Sequence, residues 1–175
     1  WIIGANVLLF LLSLINQDVI FEYLGLIPII FLERPWTIIS NMFVHASISH
    51  IFFNMLTLFF FGRALSMLLG VNRFLLVYFI GGIAGNILYL LLAPPLSVAV
   101  GASGAIFAVT GALVMLMPNL TVRLYFFIPV RLWIVVLVFF GIASVPGVMP
   151  GIAWQAHLGG LVFGLAAGYY FKRKM

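Results

Sequence analysis

The chain has 175 residues, of which 66% are hydrophobic and only 6% are charged. Soluble domains carry about 25% charged residues, and the eight basic and three acidic side chains here could not cover the surface of one. The net charge of +5 reflects scarce acids rather than a basic patch, so nucleic-acid-binding, collagen-like and disordered classes are excluded. A polytopic membrane protein remains. The absence of cysteine excludes disulfides, thiolate metal sites and a cysteine nucleophile.

A spanning helix needs about 20 apolar residues, so the length allows about six spans with short loops. Residues 1–16 form the first, closed by Asn16, Gln17 and Asp18. It begins at Trp1, so a longer native N-terminus is expected. No small-residue cleavage signal follows, so it reads as a retained helix and not a signal peptide. Residues 19–47 contain Glu22, Pro28, Glu33, Arg34 and Pro35 and are too broken to span. They are expected to form a re-entrant or interfacial segment. Further spans are expected at 50–69, 74–93, 101–117, 132–145 and 151–171. Pro94-Pro95 separates the third from the fourth, and Pro146-Gly147 and Pro150-Gly151 separate the last two. The expected fold is an all-α bundle of six transmembrane helices in a single domain, residues 1–175.

Six spans put both ends on one side. Arg63, Arg73, Arg123, Arg131, Lys172, Arg173 and Lys174 all fall there, and the positive-inside rule makes that side cytoplasmic. Asp18, Glu22, Glu33 and Arg34 fall on the other side.

In so apolar a chain each polar residue near a span is informative, because polar groups in lipid are costly. Ser103 opens the fourth span within Gly101-Ala102-Ser103-Gly104, and His157 lies in the outer half of the sixth. His45 and His50 sit at the outer entrance of the second span, with Asn54 one turn beyond His50. The topology brings Ser103, His157, His50 and Asn54 to similar depth.

That set fits nucleophilic attack by Ser103 with His157 as its base. His50, the Asn54 amide and the Ser103 N–H would supply donors to an oxyanion. Gly101 and Gly104 would admit a substrate backbone. No Asp or Glu follows residue 33, so a dyad is expected rather than a triad. Phe107, four residues after Ser103, would pack on the imidazole where an acid otherwise orients it. Each residue also has a plainer interpretation. A lone serine in a membrane helix is usually an interhelical packing residue, and Asn54 could bond a neighbouring helix. His45 reads as ordering its loop. G-x-S-G is not the G-x-S-x-G elbow, because Ala105 takes the last position. Gly160, Gly164 and Gly168 on the sixth span and Gly104, Ala108 and Ala112 on the fourth read as close-packing ridges that would draw the two spans together.

The three segments His45-Ala-Ser-Ile-Ser-His50-Ile-Phe-Phe-Asn54, Gly101-Ala-Ser103-Gly104 and Ala156-His157-Leu-Gly-Gly160-Leu-Val-Phe-Gly164 resemble the rhomboid family of intramembrane serine proteases, in the family's order. The resemblance implies a six-helix core with a membrane-embedded first loop that cleaves transmembrane substrates. Carried over by position, Ser103 is the nucleophile and His157 the general base. His50, Asn54 and Gly101 match the oxyanion side. Trp36 fits the family's loop tryptophan. Thr37 stands where many members have arginine, Phe107 where some have tyrosine, and Ser66 where some have glutamate.

The expected partners are single-pass or polytopic membrane-protein substrates and the lipid bilayer, with no nucleic acid, metal or cofactor. The expected location is a prokaryotic inner membrane, with the active site opening outward. The fourth span, at about 25 Å, is shorter than the roughly 30 Å hydrocarbon core. Ser103 would therefore lie below the outer surface, reached by water through a cavity walled or lidded by Pro94–Val100. A substrate helix would enter sideways and unwind locally. The alternative is a non-catalytic rhomboid-like protein that binds membrane helices, which should carry a broken proteolytic motif. A transporter would show paired repeats and a mid-membrane charge, and a metalloprotease an H-E-x-x-H motif. Neither occurs.

Overall fold

A computed structural model describes residues 1–124, 127–144 and 151–175. Helices make up most of the described residues. They are α1 (Ile2–Ser13), α2 (Gln17–Leu24), α3 (Thr37–Ser40), α4 (Ile48–Thr57), α5 (Arg63–Leu69), α6 (Val71–Leu92), α7 (Ser103–Leu116), α8 (Leu132–Ser144) and α9 (Trp154–Lys172). A π-turn at Leu58–Gly62 joins α4 to α5, making one helix from Ile48 to Leu69. Among the described residues, that helix and α6 are each long and apolar enough to cross a membrane. The expected break at Pro146-Gly147 and Pro150 lies outside the described residues.

The segment before α4 is built from short turns, as its prolines and charges require. Asn16 caps α2 by accepting from the Val19 N–H, and Pro28 opens a 3-10 turn. α3 and a second 3-10 turn, Asn41–Phe43, follow. Side chains lace the turns together. Trp36 Nε1 donates to the Tyr23 carbonyl at 2.9 Å, and Ser40 Oγ to that of Leu24 at 2.9 Å. Arg34 pairs with the Glu22 carboxylate at 3.1 Å and stacks over Tyr23. Thr37, where many family members have arginine, instead closes its own turn on the Arg34 carbonyl. The loop's bracing arginine is Arg34.

Two local features depart from the sequence reading. The turn after α5 was expected to include Asn72 and Arg73, but Gly70 alone forms it. Its φ of +85° is open to glycine and strained for other residues, so the chain reverses in a single step. Asn72 and Arg73 begin α6. Between α7 and α8, where only a loop was expected, β1 (Thr121–Leu124) pairs antiparallel with β2 (Ile128–Arg131), Val122 opposite Val130.

The centre of the bundle is α7. Residues Gly104, Ala105, Ile106 and Ala108–Leu113 are all buried, as expected of a helix surrounded by others. α9 and α6 pack on it most extensively. A Cβ on Gly160 would lie 2.0 Å from the Gly104 carbonyl oxygen, and one on Gly164 2.0 Å from that of Ala108. The ridges on α7 and α9 therefore meet as backbone against backbone. A further ridge went unrecognised in the sequence. Gly81, Gly82 and Gly85 of α6 touch Ala108, Met42 and Ala156. Outward-facing Leu8, Leu11, Phe52, Phe59, Ile80 and Leu91 leave an apolar exterior suited to lipid.

Candidate active site

The tight α7–α9 seam decides the site's geometry. With glycines at the contact, the first turn of α7 and the first turn of α9 come together. Ser103 Oγ lies 2.7 Å from His157 Nε2, across 54 residues of sequence. Ser103 is half-buried and His157 buried. Ser103 is also the first residue of α7. Its neighbour Ala102 supplies no side-chain cap, so the N–H groups of the first turn face outward from the helix end.

Phe107, one turn along α7, lies under the imidazole. Its ring stacks on that of His157 with centroids 4.6 Å apart and planes 23° apart. Nδ1 of His157 is buried with no hydrogen-bond partner among the described residues. The ring is therefore held by packing rather than by a carboxylate.

His50 approaches from the other side. Ser47 caps α4 by accepting from the His50 N–H at 3.1 Å. His50 Nδ1 in turn accepts from the Ala46 N–H at 3.4 Å. A neutral imidazole that accepts at Nδ1 carries its proton on Nε2. That Nε2 points at Gly101, where a Cβ would come within 2.7 Å of it and 3.7 Å of Ser103 Oγ. Gly101 has φ +126°, so its missing side chain and its backbone both matter here. Its N–H is directed away, donating to the Asn41 carbonyl at 2.9 Å. Gly101 thus brings bare backbone close against His50 and Ser103 and offers no donor. Asn54 is buried one turn below His50, and its Nδ2 donates to the His50 carbonyl at 2.9 Å. One amide hydrogen is engaged and the second is left over.

His45 is fully buried and packs edge-on to His50, centroids 4.9 Å apart. Burial, and secondarily the neighbouring His50, lowers its pKa to about 3. It is neutral at physiological pH.

Ala99 and Val100, at the end of the Pro94–Val100 loop, line the cavity beside Ser103. Leu26 and Ala99 exchange backbone hydrogen bonds of 3.0 and 2.9 Å, and the Ile29 N–H donates to the Pro95 carbonyl at 3.0 Å. Tyr89 holds the loop from below through Ser97, at 2.6 Å. The loop is thus tied to the segment before α4. Asn41 and Asn86, which the sequence reading passed over, form a buried pair at the back of the site. Their only sequence signal was polarity within apolar surroundings.

Residues 32–174 match the family model for the rhomboid domain. The chain is 34% identical to Rhomboid protein 1, mitochondrial, of Saccharomyces cerevisiae, over 78% of this chain and 42% of that protein. It is 46% identical to the putative rhomboid protease YdcA of Bacillus subtilis, over 43% of this chain and 38% of that protein. It is 35% identical to the rhomboid protease GluP of Bacillus subtilis, over 75% of this chain and 25% of that protein. In each case it spans less than half the relative's length. With a family match covering most of its residues, the chain belongs to the rhomboid family of integral membrane proteins.

Proposed function

We propose that this chain is an intramembrane serine endopeptidase that cleaves transmembrane helices near the outer membrane face. The observation that carries this is the 2.7 Å contact between Ser103 Oγ and His157 Nε2 at the opening of α7. As Oγ attacks the scissile carbonyl carbon, its proton passes to Nε2. His157 then protonates the departing amine, which breaks the C–N bond and leaves an acyl-Ser103 ester. Water, deprotonated by the same nitrogen, hydrolyses that ester. The oxyanion formed in each half-reaction meets the Ser103 N–H, the Nε2–H of His50 and the second amide hydrogen of Asn54. Phe107 keeps the imidazole plane aligned, the task a third, acidic residue performs elsewhere.

α7 is 14 residues long, about 21 Å. A helix that short, with its lower end at the cytoplasmic interface, holds Ser103 beneath the outer surface. A substrate helix would enter sideways and unwind, because helical carbonyls are hydrogen-bonded and screened from attack. Single-pass and polytopic proteins with small or helix-breaking residues at that depth are the favoured substrates. On this reading residues 1–175 form one domain of six spans in a prokaryotic inner membrane. Both ends are cytoplasmic, as the arginine and lysine distribution supports.

The test is incubation of the purified chain in liposomes with transmembrane substrates, reading product masses. Cleavage is expected for the unmodified protein and none for Ser103→Ala or His157→Ala. A fluorophosphonate should label Ser103 alone. Undiminished cleavage by either variant overturns the dyad. A folded chain that neither cleaves nor labels would be a non-catalytic family member.

A further inference from the structure

The loop that delivers Gly101 and Ser103 has no side chain of its own to fix its height. Gly101 has none, and Ala102 has only a methyl. Ser97, further back, is tied to Tyr89, but at Gly101 what holds the loop is its backbone. The Gly101 N–H donates to the carbonyl of Asn41 at 2.9 Å, and the Val44 N–H reaches the same oxygen at 3.2 Å. Asn41 itself sits in a turn of the segment before α4, which has little regular structure to keep it in place.

Its anchor is Asn86, in the middle of α6. Asn86 Nδ2 donates to Asn41 Oδ1 at 2.8 Å, and Asn41 Nδ2 donates back to Asn86 Oδ1 at 3.1 Å. Asn86 Nδ2 also donates to the Ile38 carbonyl at 2.8 Å. That bond fixes which end of the Asn86 amide is nitrogen, and the Asn41 amide then follows. Both side chains are buried. Gly82 and Gly85 precede Asn86 on α6 and let Met42 and Ala156 close against the helix. A buried reciprocal amide pair is strongly held, because each broken bond strands a buried polar group.

We propose that Asn86 and Asn41 form a positioning clamp that sets the height of Gly101, and through it the spacing of His50 Nε2 and Ser103 Oγ. The chain of contact runs from α6 through Asn86, the Asn41 side chain and the Asn41 carbonyl to the Gly101 N–H. At Gly101 there is no slack, since even a Cβ would lie 2.7 Å from His50 Nε2. A loop shift of a few tenths of an ångström therefore changes the oxyanion site. Asn86 touches neither substrate nor reacting atoms in this scheme and is a positioning residue. The effect on rate rests on the protease reading; the effect on the loop does not.

The experiment follows both with the full chain in detergent, comparing the unmodified protein with Asn86→Ala and the milder Asn86→Ser. Amide hydrogen exchange across residues 99–104 should be about tenfold faster in Asn86→Ala, the scale of one lost buried hydrogen bond. Exchange in α9 should be unchanged. With a transmembrane substrate, kcat should fall about tenfold or more with KM within about twofold, because alignment and not binding is lost. Phosphonylation of Ser103 should slow in parallel. The Asn41→Ala/Asn86→Ala double variant should be no slower than the worse single variant, since both remove one device. If Asn86→Ala does not fold, Asn86→Ser carries the same comparison with a smaller shift. Unchanged loop exchange overturns the clamp whatever the enzyme does. A kcat loss that only tracks the unfolded fraction overturns its positioning role. Faster loop exchange in a chain whose unmodified form neither cleaves nor labels would retain the clamp and reject the protease reading.

Discussion

The ring of Phe107 lies stacked beneath His157, 4.6 Å between centroids, while Ser103 Oγ meets the same imidazole at its Nε2 edge. One helical turn of α7 thus supplies both Ser103 and the surface that holds its partner imidazole. Stacking restrains the tilt of the imidazole, so in the proposed mechanism it takes over the orienting part of a carboxylate's task and not the stabilisation of charge.

Replacing Phe107 should therefore act on alignment. Phe107→Ala is expected to lower kcat about tenfold or more, in the range of general base catalysis lost through misplacement. Phe107→Tyr keeps the ring face and should retain most of the activity. Steady-state cleavage of one transmembrane substrate by both variants checks this. Equal activity of Phe107→Ala and the unmodified chain would remove the ring from the mechanism.

His50 and Asn54 should not be equivalent. His50 directs Nε2 toward Gly101 and Ser103, whereas Asn54 has already committed one amide hydrogen to the His50 carbonyl. His50→Ala should cost about 10²–10³ in kcat, the usual loss for an oxyanion donor. Asn54→Ala should cost about tenfold, partly by loosening His50. Single-turnover rates separate the two. A larger loss for Asn54→Ala would mean that its free hydrogen is the principal donor.

Much of this was legible in the sequence because lipid makes polarity scarce and therefore informative. Ser103, His157, His50 and Asn54 stood out as polar residues at a common depth, and the glycine spacing on α7 and α9 showed why two of them should meet. The β1–β2 hairpin did not stand out, since Thr121–Leu124 alternates too briefly to be told from a loop. Nor did Gly70, because a one-residue reversal depends on a backbone angle that sequence does not display. The Asn41–Asn86 pair was invisible for a different reason. Its members lie 45 residues apart, and neither has a spacing that points to the other.

The glycine seam should be unforgiving at defined positions. A methyl on Gly160 would meet the Gly104 carbonyl oxygen at 2.0 Å, next to Ser103, and neither partner is a flexible side-chain end. Gly160→Ala should then push α9 from α7, cost about 1–3 kcal/mol of stability, and lengthen the contact between Ser103 and His157. Gly4→Ala is the control, since nothing lies within 4 Å of its Cβ. That change should be neutral or mildly stabilising through helix propensity. Thermal unfolding in detergent and cleavage rates on the two variants distinguish a local seam from general intolerance to added volume.

His45 gives the site's outer rim a dependence on pH. Burial holds its pKa near 3 in the folded protein, against an ordinary value of 6.5. Between those values the unfolded chain binds a proton that the folded chain excludes. Stability therefore rises with pH across this window, is complete above about 6.5, and is lost progressively as pH falls toward 3. Protonation would place a charge edge-on to His50, 4.9 Å away, and open the packing there. The melting temperature should drop between pH 7.5 and pH 5 by more in the unmodified chain than in His45→Gln, which has no proton to gain. The exposed carboxylates Asp18, Glu22 and Glu33 are common to both proteins and cancel in that comparison. Identical shifts in the two proteins would show that the acid sensitivity of this rim does not come from His45.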